Sequence, residues 1–278
     1  IVMGVIGIVA TLTIPSLTNS TNNKDVVAKV RKAHSNLEDA FGRMIAEYGE
    51  TNEWSSFDTN TVGDRLITSM KLTKNCKATA SGNCFSGSTK IFNSSGTGVD
   101  NVHSNTSVYK FLMASGFSVG LYVDNTSCTQ NVASNDKKDQ VPQALKEVCG
   151  VALVDIDGPG KGKHKHGTDL FEFYLTRQGF YPVGFEGDDK FKYIDNCTKT
   201  GSNVTADSQA CTAWVVNNGN LDYKKTNSEG KCISNTTKVL DLSSNISCDV
   251  PSYCKRLFSK TSISFFLPSL LFLIFSVR

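Results

Sequence analysis

The chain has 278 residues, of which 39% are hydrophobic and 20% charged, with a net charge of +3. That length allows one large domain or two small ones, the composition is that of a folded protein, and so small a charge gives no argument for nucleic-acid binding. The nine cysteines contain no Cys-x-x-Cys pair, which excludes zinc knuckles and favours disulfides in an oxidising compartment such as the periplasm or cell exterior.

In chain order, the first element is an uncharged apolar run, Ile1–Ile14. It falls short of the ~20 apolar residues that cross a bilayer as a helix. Ile6, Ile8 and Leu12 give it bulk, while Gly4, Gly7 and Ala10 recur at three-residue steps and permit close approach of neighbouring helices. Pro15 removes one backbone hydrogen bond and is expected to kink or loosen the helix. Beyond it the pattern becomes amphipathic. Val26, Val30, Ala33, Leu37, Ala40/Phe41, Met44/Ile45 and Tyr48 make one stripe. Gly49 follows where a left-handed cap would stop the helix. His34 reads as helix surface.

After Gly49, short apolar runs alternate with Gly/Asn/Ser/Asp clusters, the texture of an antiparallel sheet with long loops. Val108–Met113 and Phe117–Val123 read as a hairpin. Val151–Ile156, Leu170–Leu175, Phe180–Val183 and Cys211–Val216 read as further strands, and Ser81–Gly98 and Cys197–Gln209 as surface loops. The expected division is a hydrophobic and amphipathic helix over 1–48, a globular head with disulfide-rich loops over 49–254, and a hydrophobic tail over 255–278. The fold class expected is α+β, a long N-terminal helix packed on an antiparallel sheet built from residues after about 100.

Several residue groups are candidates for chemistry. Asp155, Asp157 and Asp169, with carbonyls near Gly158, are a candidate calcium cage, since Ca²⁺ takes closely spaced oxygen ligands. The spacing is not that of an EF-hand, and an Asx-type turn between two strands explains the same residues. The run Lys161-Gly-Lys-His-Lys-His166 offers contacts to a phosphate backbone or two imidazoles to a transition metal, but such a run also serves as a solvated loop tip. Trp54 and Trp214 read as core or groove aromatics. The sequence has no Gly-x-Ser-x-Gly, His-Glu-x-x-His or P-loop motif, so it reads as a non-enzyme. Cysteine connectivity is open. The local pairs are Cys76/Cys84, Cys128/Cys149 and Cys197/Cys211, and an odd count leaves at least one thiol free or paired between chains.

Three stretches together resemble the type IV pilin and type II secretion pseudopilin family. Gly4-Val-Ile-Gly-Ile-Val-Ala-Thr-Leu-Thr-Ile-Pro15-Ser-Leu17 is similar to the second half of the prepilin N-terminal motif. Val154-Asp-Ile-Asp-Gly158-Pro159 with Gly167-Thr-Asp169-Leu-Phe-Glu-Phe173, and Cys211-Thr-Ala-Trp214-Val-Val-Asn-Asn-Gly219-Asn-Leu-Asp-Tyr223, resemble segments of pilin-like bacterial proteins. The resemblance implies a pilin-like fold and a structural role in a pilus or pseudopilus filament. It implies anchorage in the bacterial inner membrane before assembly, then a periplasmic or extracellular filament. The implied partners are membrane lipid, copies of itself, other pilin-like subunits, a prepilin peptidase and the assembly machinery, with no specific nucleic acid. Of the secretion-type pseudopilins, some hold calcium in a C-terminal loop. Alignment on Pro15 places about seven residues of the mature helix, including the family's Glu, ahead of Ile1, which would complete a membrane span.

A competing reading is a lipid-anchored glycoprotein, because eight Asn-x-Ser/Thr acceptors occur, at Asn19, Asn93, Asn105, Asn125, Asn196, Asn203, Asn235 and Asn245, and the tail Phe265–Val277 has the length of an anchor signal. A third is a membrane-anchored periplasmic binding module.

Overall fold

The computed structural model describes residues 2–256 except 137–138, 186, 192–196, 198–208, 226–231, 234–238, 241–245 and 251–252; over 2–21, at 225 and over the strand segments after 231, only the backbone path is described. Helix α1 (Val2–Tyr48) runs without interruption through Pro15. A short helix α2 (Thr59–Leu66) follows, capped by Asp58, whose carboxylate accepts from the backbone of Asn60 and Thr61.

The centre of the molecule is a six-stranded sheet. Its strands are β1 (Leu72–Lys77), β4 (Tyr109–Met113), β5 (Ser118–Val123), β6 (Val148–Asp155), β7 (Leu170–Thr176) and β8 (Gly179–Pro182), paired antiparallel in that order. The intervening strands β2 (Ile91–Phe92) and β3 (Gly98–Val99) form a separate small hairpin. Helix α3 (Cys211–Asn218) comes next, and the strand segments β9 (Cys232–Ile233), β10 (Val239–Leu240), β11 (Ile246–Val250) and β12 (Tyr253–Arg256) pair only with each other.

All residues of β6 and β7 are buried, so this sheet is covered on both faces. On one face the registered row Tyr109, Leu121, Ala152 and Phe173 lies under the helices. His34 of α1 stacks on Phe173, and a Cβ on Gly63 of α2 would stand 2.4 Å from the Tyr109 ring. On the other face the row Lys110, Gly120, Leu153 and Glu172 lies under loops. Phe85 packs over Gly120, the backbone N–H of Phe92 donates to Glu172, and the ammonium of Lys110 donates to the carbonyls of Thr79 and Asn105.

The expected pilin-like fold class, one helix over 1–48 packed on a sheet of residues after about 100, is therefore corrected. The side chains that α1 is seen to bury begin at Val27. The remainder is dominated by a six-stranded antiparallel sheet, which starts from Leu72 and has both faces covered. Cys211–Val216 is also not a strand. It forms α3, stopped by Gly219 at φ +65° with its N–H bonded to the Val215 carbonyl. A short apolar run has no decisive period, and Asn-Asn-Gly ends a helix as well as a strand. The hairpin and the strands around Val151–Ile156, Leu170–Leu175 and Phe180–Val183 are present, with boundaries moved by one to three residues.

Candidate functional site

The polar contacts that tie sequence-distant elements together concentrate at the seam between α1 and the rest of the molecule. Val27, Val30, Ala33, Leu37, Ala40, Phe41 and Met44 are buried, the spacing of one helical face. Gly49, at φ +80°, ends the helix and donates its N–H to the Ile45 carbonyl. Four side chains flank this apolar stripe. Lys29 Nζ lies 3.0 Å from Asp157 Oδ1 and 3.0 Å from Asp25 Oδ2. Those bonds, Asp25's first, hold its pKa above the ordinary lysine value against the opposing effect of burial. Arg31 donates through Nε and Nη2, at 3.1 and 2.8 Å, to the carbonyl of Val216 in the last turn of α3, an acceptor the helix itself cannot satisfy. His34 is not plain helix surface: its ring stacks on Phe173 at 5.1 Å between centroids, with Nε2 3.0 Å from the Phe180 carbonyl. Glu38 accepts the backbone N–H of Phe180 at the start of β8.

Asp157 thus has a cation from α1 as partner. Its two companions organise the β6–β7 loop. Asp155 Oδ1 accepts from the N–H groups of Asp157 and Gly158, both at 3.1 Å, and Oδ2 lies 3.0 Å from His164 Nδ1. Burial pushes Asp155 up to about 6. Asp169 accepts from the backbone of Lys163, His164 and Lys165. The three carboxylates of the candidate calcium cage therefore serve as loop and seam partners, and among the described residues no group of three or more His, Cys, Asp or Glu is placed to hold a metal ion.

The two imidazoles of the basic run are engaged separately. His164 bonds Asp155, whereas His166 is half-buried with Nε2 3.1 Å from the Lys90 carbonyl and its ring edge-on to Phe92. Burial lowers His166 to about 4.

Sequence reasoning passed over Glu172, which lies in the middle of the buried strand β7. Its Oε1 accepts from Phe92 N at 2.8 Å, and Oε2 has no hydrogen-bond partner among the described residues. Burial raises it to about 8. The available signal was one acid inside the apolar run Leu170–Leu175.

The two motifs quoted from the head meet here. Thr212 Oγ1 of α3 accepts from Glu172 N at 3.0 Å, and Tyr223 donates its hydroxyl to the Gly167 carbonyl at 2.7 Å. Trp214 is buried against Tyr223. Trp54 stacks on Phe57 and carries Arg65 over its ring. Cys76–Cys84, Cys128–Cys149 and Cys197–Cys211 are disulfides, the local pairs of the sequence; the last joins the start of α3 to residue 197. The side chains of Gly4, Ile6, Gly7, Ile8, Ala10, Leu12 and Pro15, and all of residues 257–278, lie outside the described residues. Among the described residues no helix is long and apolar enough to cross a membrane.

Comparison with family models, with curated proteins and with solved structures found no match. The arrangement at the seam is mechanical in character. It fixes α1 to β8, to α3 and to the β6–β7 loop through hydrogen bonds at both flanks of an apolar stripe.

Proposed function

We propose that this chain is a structural subunit of a type IV pilus or type II secretion filament, held in the bacterial inner membrane by the first part of α1 before assembly and by copies of itself afterwards. One observation carries the reading. A single helix of 47 residues, about 70 Å long at the usual rise, changes character along its length. Residues 1–14 carry no charge, whereas Val27 to Met44 are keyed into the head. The reading rests on this helix, not on the architecture of the head. Disulfides fit a periplasmic or exterior location. A prepilin peptidase and an assembly ATPase are the implied partners, and no catalytic activity is expected.

The test is envelope fractionation of the full chain. Substituting Ile6→Asp or Ile8→Asp places a charge in the proposed membrane segment, at a cost of about 2.5–3.5 kcal/mol, and should release a folded protein from the membrane fraction. Val30→Asp or Leu37→Asp should instead give unfolded, protease-sensitive protein, because both sites are fully buried. Equal behaviour of the two classes would defeat the two-part helix.

A further inference from the structure

A groove of about 430 Å³ lies between α1 and the segment running from Ser69 into β1, closed at one end by the β4–β5 turn. Its floor includes Ala40, Met70 and Met113, and its rim carries Lys32, Arg43 and Lys71. None of these three cations has an ion pair or side-chain hydrogen bond among the described residues, and the one carboxylate on the rim, Asp39, leaves an excess of positive charge.

The complementary charge occurs elsewhere on the same molecule. Glu50 and Glu53 directly follow α1, both exposed and without an ion pair among the described residues. The last turn of α1 contains no basic residue, so these carboxylates add to the negative end of the helix dipole. Two guanidiniums stand beside this corner, each engaged otherwise: that of Arg65 is laid over the rings of Trp54 and Tyr48, and that of Arg177 donates to the Thr51 carbonyl at 2.7 Å. Arg43 and Glu50 are fixed seven residues apart on one continuous stretch, about 10 Å along the helix axis, so the acidic corner cannot fold back into the groove of its own chain. A patch and its complement at different places on one surface make a heterologous contact, which extends into an open array unless the rotation closes.

We propose that the groove receives the Glu50–Glu53 corner of a second copy of this chain, a head-to-tail contact that repeats along the filament. This rests on the filament reading above and names the face that sets the register between subunits. The apolar floor contributes burial, and the charges supply orientation and discrimination against other registers.

The test is zero-length carbodiimide cross-linking of the full chain in detergent extracts of envelopes, with an equal mixture of isotope-labelled and unlabelled protein so that links between copies are identified by mass. The expected link joins Lys71 or Lys32 of one copy to Glu50 or Glu53 of another. Lys71→Glu alone and Glu50→Lys alone should each lower the yield of linked dimer by about tenfold, since like charges then face each other. The double variant should recover to within about twofold, a non-additivity that mere damage to folding would not produce. Oligomers that persist without this link and ignore Lys71→Glu overturn the contact and leave the filament reading standing. The link in closed dimers that never lengthen upholds the contact and overturns the filament. No oligomer at any concentration overturns both.

Discussion

Glu172 couples the stability of the fold to pH. Its folded pKa of about 8 stands above the ordinary 4.5 because burial penalises the carboxylate. Below pH 4.5 it is protonated in both states and costs nothing. Between 4.5 and 8 the unfolded chain is ionised while the folded one stays neutral, so stability falls as pH rises. Asp155 and Asp188, both pushed up to about 6, act in the same direction at lower pH, which leaves pH 6–8 as the window belonging to Glu172. His166 slopes the other way as pH falls from 6.5 towards 4. Urea unfolding of wild type should therefore show declining stability from pH 6 to 8, and Glu172→Gln, which keeps an acceptor for Phe92 N, should flatten that decline. Equal slopes for both proteins would remove Glu172 as the cause.

Gly63 supplies a second test at this scale. A methyl group there would meet the Tyr109 ring at 2.4 Å, and that ring is itself held by its hydroxyl at 2.6 Å from Asp64. Gly63→Ala gains helix propensity but overpacks the core, for a net loss of about 1–3 kcal/mol in the unfolding midpoint analysis.

At the scale of elements, α1 was legible from its helical period, and the central strands from short apolar runs bounded by Gly/Asn/Ser/Asp clusters. The stripe from Val30 to Met44 is buried as its spacing requires, and Gly49 caps it. Leu37 lies at the middle of that stripe, fully buried, so Leu37→Ala should cost about 2–5 kcal/mol in denaturant unfolding; a loss under half a kcal/mol would mean that the stripe is not the anchor. α2 and β1 escaped sequence reading. α2 is only eight residues long, with little room for a period. β1 has one buried residue, Cys76, and two register shifts against β4, so it shows no alternation. The seam contacts were also illegible, because Lys29, Arg31 and Glu38 reach partners 128, 185 and 142 residues away, and only the fold brings these together. The disulfides were legible as local pairs. Removing Cys128–Cys149 by double serine substitution should cost about 2–4 kcal/mol and loosen the link between the β5–β6 connection and the start of β6, observable as faster proteolysis there.

At the scale of the molecule, the residues quoted for the family resemblance do related work. The Asp155–Gly158 stretch offers Asp157 to Lys29, the Cys211–Tyr223 stretch offers the Val216 carbonyl to Arg31, and Gly167–Phe173 joins both through Tyr223 and Thr212. Their shared role is to hold the second half of α1. Chemistry at the same residues is less economical as an explanation: the three carboxylates are occupied by N–H groups, a lysine and a histidine.

What the first part of α1 does is tested most directly by the intact mass and N-terminal sequence of the native protein from cell envelopes. The filament account predicts a processed, N-methylated terminus a few residues ahead of Ile1, followed by a Glu. A different terminus, with glycans on Asn93, Asn105 or Asn125 and loss of Phe265–Arg278, would contradict it and establish the anchored glycoprotein instead.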